Sequence, residues 1–327
     1  MIPQENFVHT ITLPLLFPLN PINVYFIPGE IPTLIDTGLD TDIAWSGLVS
    51  GIEKLGYSIK DIKRVIVTHG HIDHFGHLGA SGKICNETEP EILIHPMDEY
   101  RATAGVEELL SKLDENARRF VAMGLLERDV KRIFRNYVKL MRRFYKPLLQ
   151  YSFVEEGDEI KFGEFSLRVV ETPGHTGGSI SLFEEGSSGM LFSGDHIMNG
   201  VTTNPLPEMT ADPGVGLLPY LESMKKVLSL NPKVIYPGHG EVIEDPRGYI
   251  ETTIAFHDDL SSRIKNSLDG GWITSADLTS RMFPGLSGIY SSHVVFEVNS
   301  YLEAFCQAGE AELKEEEGEG VKHFRGV

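Results

Sequence analysis

Cysteine is scarce: Cys85 and Cys306 are the two in 327 residues. Two thiols so far apart do not make a disulfide framework or a thiolate zinc site. Both read as small core residues of a protein kept in a reducing cytoplasm. Positive charge is also short, with 29 lysines and arginines against 47 aspartates and glutamates and a formal net charge of -18. That balance argues against general affinity for nucleic acid or anionic membranes, so no DNA partner is expected. No apolar run reaches membrane-spanning length. Pro14, Pro18 and Pro21 break the stretch from Ile11 to Ile27, and no basic signal-peptide segment accompanies it. There is no internal repeat and no Gly-x-Ser-x-Gly turn to expose a nucleophilic serine.

What is concentrated is histidine. Thr68-His69-Gly70-His71-Ile72-Asp73-His74-Phe75-Gly76-His77 follows directly on Val65-Ile66-Val67, an apolar run that reads as a buried strand. In extended chain alternate side chains point the same way, so His69 and His71 can hold one ion together. Asp73 and His74, where the chain turns into a helix, are free to face a second. Burying such a cluster is costly unless metal neutralises it. Upstream, strands are expected at 7–13, 23–27 and 33–35, the last ending in Asp36-Thr37-Gly38. Asp36 can accept hydrogen bonds from the backbone of the 68–74 loop and so organise it from behind. His95, at the end of a strand over 91–95, reads as structural.

From residue 98 to about 149 the pattern is helical. Arg128, Arg132, Arg135, Lys139, Arg142 and Lys146 form one stripe, with Val130, Ile133, Tyr137, Met141, Phe144 and Leu148 opposite. The basic edge is either a solvated face or a docking edge for an anionic carrier, an acidic protein or RNA. The insertion is long enough to act as a lid. β-Structure resumes at Phe153, and three more ligand-type residues stand at strand ends among glycines. They are His175 in Pro173-Gly174-His175, Asp195 in Gly194-Asp195-His196, and His239 in Gly238-His239-Gly240. After Asp245-Pro246, helices at 247–268, 275–282 and 291–308 and a hairpin of 311–314 with 321–324 suggest a small winged-helix-like domain. Its acidic tip, Glu315, Glu316, Glu317 and Glu319, would repel phosphate backbones and favours an interaction or packing role.

In order, Asp36, the His69-x-His71-x-Asp73-His74 loop, His175, Asp195 and His239 resemble the metallo-β-lactamase-fold hydrolase superfamily, over roughly residues 8–246. The resemblance implies an α+β fold, a four-layer αββα sandwich with metals at one edge of its two sheets. Residues 1–246 would be the catalytic domain, with a helical lid insertion at about 98–149, and residues 247–327 the winged-helix-like domain. It implies that His69, His71 and His175 hold one metal, that Asp73, His74 and His239 hold a second, and that Asp195 bridges both. Within the superfamily the chain is similar to glyoxalase II-like and lactamase-like thioesterases carrying a C-terminal winged-helix-like domain. The stretches concerned are Gly194-Asp195-His196, Leu218-Pro219-Tyr220-Leu221-Glu222-Ser223 and Tyr236-Pro237-Gly238-His239-Gly240. The same branch includes endoribonucleases. His77 stands where many members have a second glycine. With His196, it is read as supporting the ligands rather than binding metal. No tyrosine follows Asp195 closely, unlike in the related lactonases, and His71 stands where the flavodiiron branch has glutamate.

Nitrogen and oxygen donors without thiolate suit zinc, with iron or manganese as alternatives. Two such divalent ions lower the pKa of a bridging water, making hydroxide the nucleophile, and polarise a carbonyl or phosphoryl oxygen. Asp73 is expected to orient that water and manage its proton, with His74 beside it. The expectation is a cytoplasmic dinuclear hydrolase of a thioester or related acyl ester of glutathione, coenzyme A or a carrier protein. Tyr137, Met141 and Phe144 would cover the acyl part, and Arg135, Lys139 and Arg142 would meet phosphates or an anionic carrier. The alternatives are a metal-dependent endoribonuclease and a mononuclear-iron persulfide dioxygenase. An oligomer is compatible with any of these.

Overall fold

Alternation along the strands decides the layering. In the computed structural model, which describes residues 7–15, 21–80, 82–163, 165–200, 214–286, 289–316 and 320–327, the strands form two large sheets. Pro18, Glu317 and Glu319, used in reading the sequence, lie outside the described residues. The first sheet is six-stranded and runs in chain order: β1 (His9–Leu13), β2 (Ile22–Ile27), β3 (Thr33–Ile35), β4 (Arg64–Ile66), β5 (Glu91–Ile94) and β6 (Ser152–Phe153). It is antiparallel through β3 and parallel from β3 to β6. The second comprises β7 (Glu159–Lys161), β8 (Ser166–Glu171), β9 (Ile180–Phe183), β10 (Met190–Gly194) and β11 (Val234–Pro237), in the order β11-β10-β9-β8-β7.

Every second residue faces the other sheet. Tyr25, Ile27, Ile35, Ile66 and Leu93 meet Leu167, Val169, Ile180, Leu182 and Phe192 in the inter-sheet core. The intervening Val24, Phe26, Leu34, Val65 and Ile92 face outward onto Ala44, Leu48 and Ile52 of the helix Asp42–Lys54. On the far side, Val170, Leu191 and Ile235 pack on Tyr220, Met224 and Val227 of the helix Leu217–Leu230. The result is the expected αββα sandwich, with the central strands of each sheet buried on both faces.

The helical stretch after β5 differs from its sequence reading in one respect. It contains the helices Glu99–Thr103, Val106–Ser111, Leu113–Ala122 and Glu127–Phe144, and then the chain is extended at Tyr145. Pro147 disfavours helical backbone at the residue before it, so Lys146 leaves the basic stripe. Lys146 turns back instead to Asp40, Nζ to Oδ2 2.6 Å. The long helix uses its apolar face twice. Met141 packs with Ala102, Tyr145 and Leu148 near Phe75 of the ligand loop. Val130 and Phe134, with Phe120 and Met123, pack on Val295 and Phe296 of the C-terminal part. The insertion is therefore clamped between the two parts of the protein.

Beyond residue 245 stand the helices Pro246–Asn266, Ser275–Met282 and Ile289–Gln307 and the hairpin β12 (Ala311–Glu315) and β13 (Lys322–Gly326). Thr274 caps the middle helix by accepting from Asp277 N–H at 3.1 Å. Gly309, φ 73°, takes the left-handed turn after the last. The first of these helices contributes Ile250 to the core under the second sheet and Leu260 and Ile264 to the C-terminal core. One rod thus joins both cores. Among the described residues no helix is long and apolar enough to cross a membrane.

Candidate metal centre

The ligand residues sit at the sheet edge where several strands end. β4 stops at Ile66, and the chain passes through His69 and His71 into the four-residue helix Ile72–Phe75, whose N-cap is His71. His175 lies in the turn between β8 and β9, Asp195 follows β10, and His239 follows β11. These segments are remote in sequence, yet the side chains meet.

His69 Nε2 and His175 Nε2 lie 2.9 and 3.1 Å from His71 Nδ1, and 3.9 and 3.5 Å from Asp195 Oδ2. Asp195 Oδ1 faces the other way, 3.4 Å from His74 Nε2 and 3.6 Å from His239 Nε2, and His239 Nε2 is 3.6 Å from Asp73 Oδ2. A cation held tetrahedrally by nitrogen at about 2.0–2.1 Å spaces its ligand atoms about 3.3–3.5 Å apart, and these separations straddle that value. His74 Nε2 and Asp195 Oδ1 are buried and face each other at 3.4 Å without completing a hydrogen bond among the described residues, a spacing that two ligands of one cation take. The residues fit two divalent cations: His69, His71, His175 and Asp195 on one side, and Asp73, His74 and His239 on the other.

The protonation states agree with this on one side. Burial pushes His69 well down, His71 to about 4 and His175 to about 3, so these imidazoles are neutral donors near neutral pH. Burial alone would raise the Asp195 carboxyl, but His239 and His74 hold it well below the usual carboxylate range. His74 goes the other way: burial opposes its charge, yet Asp195 and Asp36 push it well above its ordinary value. A cation on Nε2 would take the place of that proton.

Asp36 bonds both the ligand loop and one of its histidines. It sits at φ 61°, a conformation that short polar side chains tolerate. Its Oδ1 accepts from Thr68 N–H, and its Oδ2 accepts from Thr68 Oγ1–H and pairs with His74 Nδ1, each at 2.8 Å. His74 Nδ1 is thereby occupied and its Nε2 aimed inward. His239 is set the same way by Pro21 O, 3.1 Å from its Nδ1, and its turn is pinned by Asn23 Nδ2–H donating to Pro237 O and Gly240 O. Glycine at 238 leaves Asp195 its place, because a Cβ there would sit 2.5 Å from Asp195 Oδ1.

His77 is wholly buried, its Nδ1 3.4 Å from Asp40, on the side of the loop where Lys146 and Lys83 also approach that carboxylate. His196 is buried edge-on to Tyr220 and held to about 3 by burial and by neighbouring His175. Neither belongs to the two ligand groups. His95 bonds Glu171 at 3.0 Å, a structural contact.

The residues expected to meet substrate divide. Met141 and Phe144 are buried, and for Met141 the neighbours are the protein's own core. Tyr137 is half-buried. Arg142 donates to Glu107 through Nε and Nη2, both 3.0 Å, and Arg128 and Arg132 approach Asp129. Arg135 and Lys139 are exposed, with no ion pair among the described residues. One carboxylate that sequence spacing did not single out is Asp98, fully buried between the first metal loop and the His175 turn. It stands at the N-cap of Glu99–Thr103, but its side chain makes no capping bond there.

The model of the metallo-β-lactamase superfamily matches residues 18–239. Probable metallo-hydrolase YqjP of Bacillus subtilis is 27% identical over 325 residues, 98% of this chain and 95% of the relative. A β-lactamase-like protein 2 homolog of Drosophila melanogaster is 32% identical over 237 residues, 70% of this chain and 62% of the relative. The fold is shared with metallo-β-lactamase family protein TTHA1429 from Thermus thermophilus, at TM-score 0.78 and 24% identity over 98% of each chain. A β-lactamase domain protein from Burkholderia ambifaria also has TM-score 0.78, at 23% identity, covering 98% of this chain and 92% of its own. With the family match, the site and the fold in agreement, the chain belongs to the metallo-β-lactamase superfamily.

Proposed function

We propose that this metal-dependent hydrolase cleaves a thioester or related acyl ester at a two-cation centre. The observation that carries the reading is the division of Asp195, one oxygen toward His69 and His175 and the other toward His74 and His239. When bound, two cations there, zinc or alternatively iron or manganese, supply an activated water and polarise the scissile carbonyl. The residues do the rest. His69, His71 and His175 are neutral donors to one cation, Asp36 fixes the aim of His74, and Asp73 orients the water. At 23% side-chain exposure Asp73 is more open than Asp195 or His239, both at 8%, which suits it to pass a proton to solvent.

The leaving group follows from what the cluster is made of. Apart from Asp73, engaged with the water, its imidazoles and carboxylates are committed to the cations, which favours a substrate whose leaving group departs without a dedicated acid, as a thiolate does. Arg135 and Lys139 are the candidates to meet an anionic tail such as that of coenzyme A. The free Cys85 and Cys306 support a reducing, cytoplasmic setting. The test is turnover by metal-replete protein of acyl-CoA, glutathione thioester, lactone and RNA substrates, with and without a chelator, alongside oxygen uptake with a persulfide. Chelator-sensitive thioester hydrolysis is expected. Failure on every thioester, or salt-sensitive RNA cleavage lost on neutralising Arg135 and Lys139, would overturn the proposal.

A further inference from the structure

We infer that Asp98 is the positioning residue for one half of the centre, holding the His69–His71 loop and the His175 turn at ligand spacing. This rests on the two-cation reading. Asp98 Oδ2 accepts from Gly70 N–H at 2.7 Å and from Thr176 Oγ1–H at 2.6 Å, and its Oδ1 accepts from Gly178 N–H at 3.0 Å. Gly70 lies between the two loop histidines, and Thr176 follows His175. The loop leaves the first sheet and the turn belongs to the second, and they are also linked by Ile180 N–H donating to Thr68 O at 2.9 Å. A single buried carboxylate therefore ties together the backbones that carry three of the four donors in that set.

The seat is built for close approach. A Cβ on Gly178 would fall 2.7 Å from Asp98 Cγ, and one on Gly70 would fall 3.3 Å from Asp98 Cβ and 2.9 Å from Arg101 Cβ. Glycine at both places lets the carboxylate reach main chain directly. Arg101 Nε, 3.7 Å from Asp98 Oδ1, adds a positive neighbour on the carboxylate's own helix. A carboxylate accepts at both oxygens, whereas a carboxamide accepts at one and turns its NH2 against an N–H or O–H donor. Asp36 bonds His74 directly, and among the described residues Asp98 has no bond to that side of the centre.

The test is a zinc titration of the metal-free full chain against a chromophoric chelator, for wild type, Asp98→Asn and Thr176→Val. Wild type should take two equivalents. Asp98→Asn should bind one of them about 10–100-fold more weakly and leave the other unchanged, as loss of a ligand's supporting partner does. Thr176→Val, which removes one of the three bonds, should weaken the same equivalent less. The effect should persist in a His239→Ala background and vanish in a His175→Ala background. Thermal midpoints of the metal-free proteins check folding, and if Asp98→Asn does not fold, Thr176→Val decides. Wild-type affinity for both equivalents in the folded variants, or an equal fall in both, overturns the inference. A wild type that takes one equivalent overturns the two-cation reading instead, and the inference then stands or falls on whether the variants weaken that equivalent.

Discussion

Replacing Lys146 by Met keeps the aliphatic stem and removes the charge that ties the end of the helical insertion to Asp40, the carboxylate beside His77. Lys146 Nζ lies 2.6 Å from Asp40 Oδ2. The Asp40 side chain is 7% exposed and the Lys146 side chain 34%. Breaking a fully buried pair costs about 3–5 kcal/mol. Partial exposure of Lys146 screens the loss, and Lys83 remains 3.6 Å from the same carboxylate, so about 2 kcal/mol is expected near neutral pH. Burial pushes the Asp40 carboxyl up, but the His77 contact and the Lys146 bond win and hold it well below the usual carboxylate range. His77 itself is kept low by burial, so Lys146 supplies the nearer positive charge. A carboxyl depressed in the folded state contributes stability that is present above its unfolded pKa and is lost as pH falls through the folded one. The gap between wild type and Lys146→Met should therefore shrink from about pH 5 downward. Trp45, whose ring centre is 5.3 Å from that of His77, reports the region in urea unfolding of the metal-free protein. A Trp272→Phe background removes the second tryptophan. Equal stability at pH 7, or a gap that ignores pH, would refute the reasoning.

Two further predictions test other parts. Gly238→Ala places a Cβ 2.5 Å from Asp195 Oδ1 and 3.0 Å from His74 Cε1, so zinc affinity should fall by at least about 10–100-fold while the metal-free protein keeps its melting point. Wild-type zinc binding in that variant would show that the turn can move aside. Burial raises the Glu297 carboxyl to about 7, so ionised Glu297 opposes folding at higher pH. Glu297→Gln should be more stable than wild type by about 2–3 kcal/mol at pH 8, with the gain fading toward pH 4, as judged by chemical denaturation across that range. A destabilised variant at pH 8 would show that the carboxylate has a partner worth more than its burial.

The strands and the ligand set were legible because both leave local marks. A strand buried on two faces is a short apolar run, as in Val65-Ile66-Val67, and a ligand loop concentrates histidines at a spacing that extended chain can use. Helix ends leave local marks too: Thr274 and Gly309 act through bonds to their own neighbours in sequence. The stripe failed at Lys146 because periodicity takes a continuing helix for granted, and Pro147 ends it. Met141 and Phe144 looked available to a substrate because an apolar face does not say what will cover it, and the protein's own packing covers Met141.

By itself, then, the sequence determined which chemistry is on hand: nitrogen and oxygen donors, a turn or loop for each, and two sheets to carry them. Tertiary structure decided how the donors are shared. Asp195 divides its two oxygens between the groups, Asp36 turns His74 inward, and Asp98 ties the first loop to the His175 turn. Such assignments depend on angles and distances of a few ångströms between segments far apart in the chain. A carboxylate's neighbours across that gap leave no periodic trace in the residues around it, so what Asp98 holds is visible only in the fold.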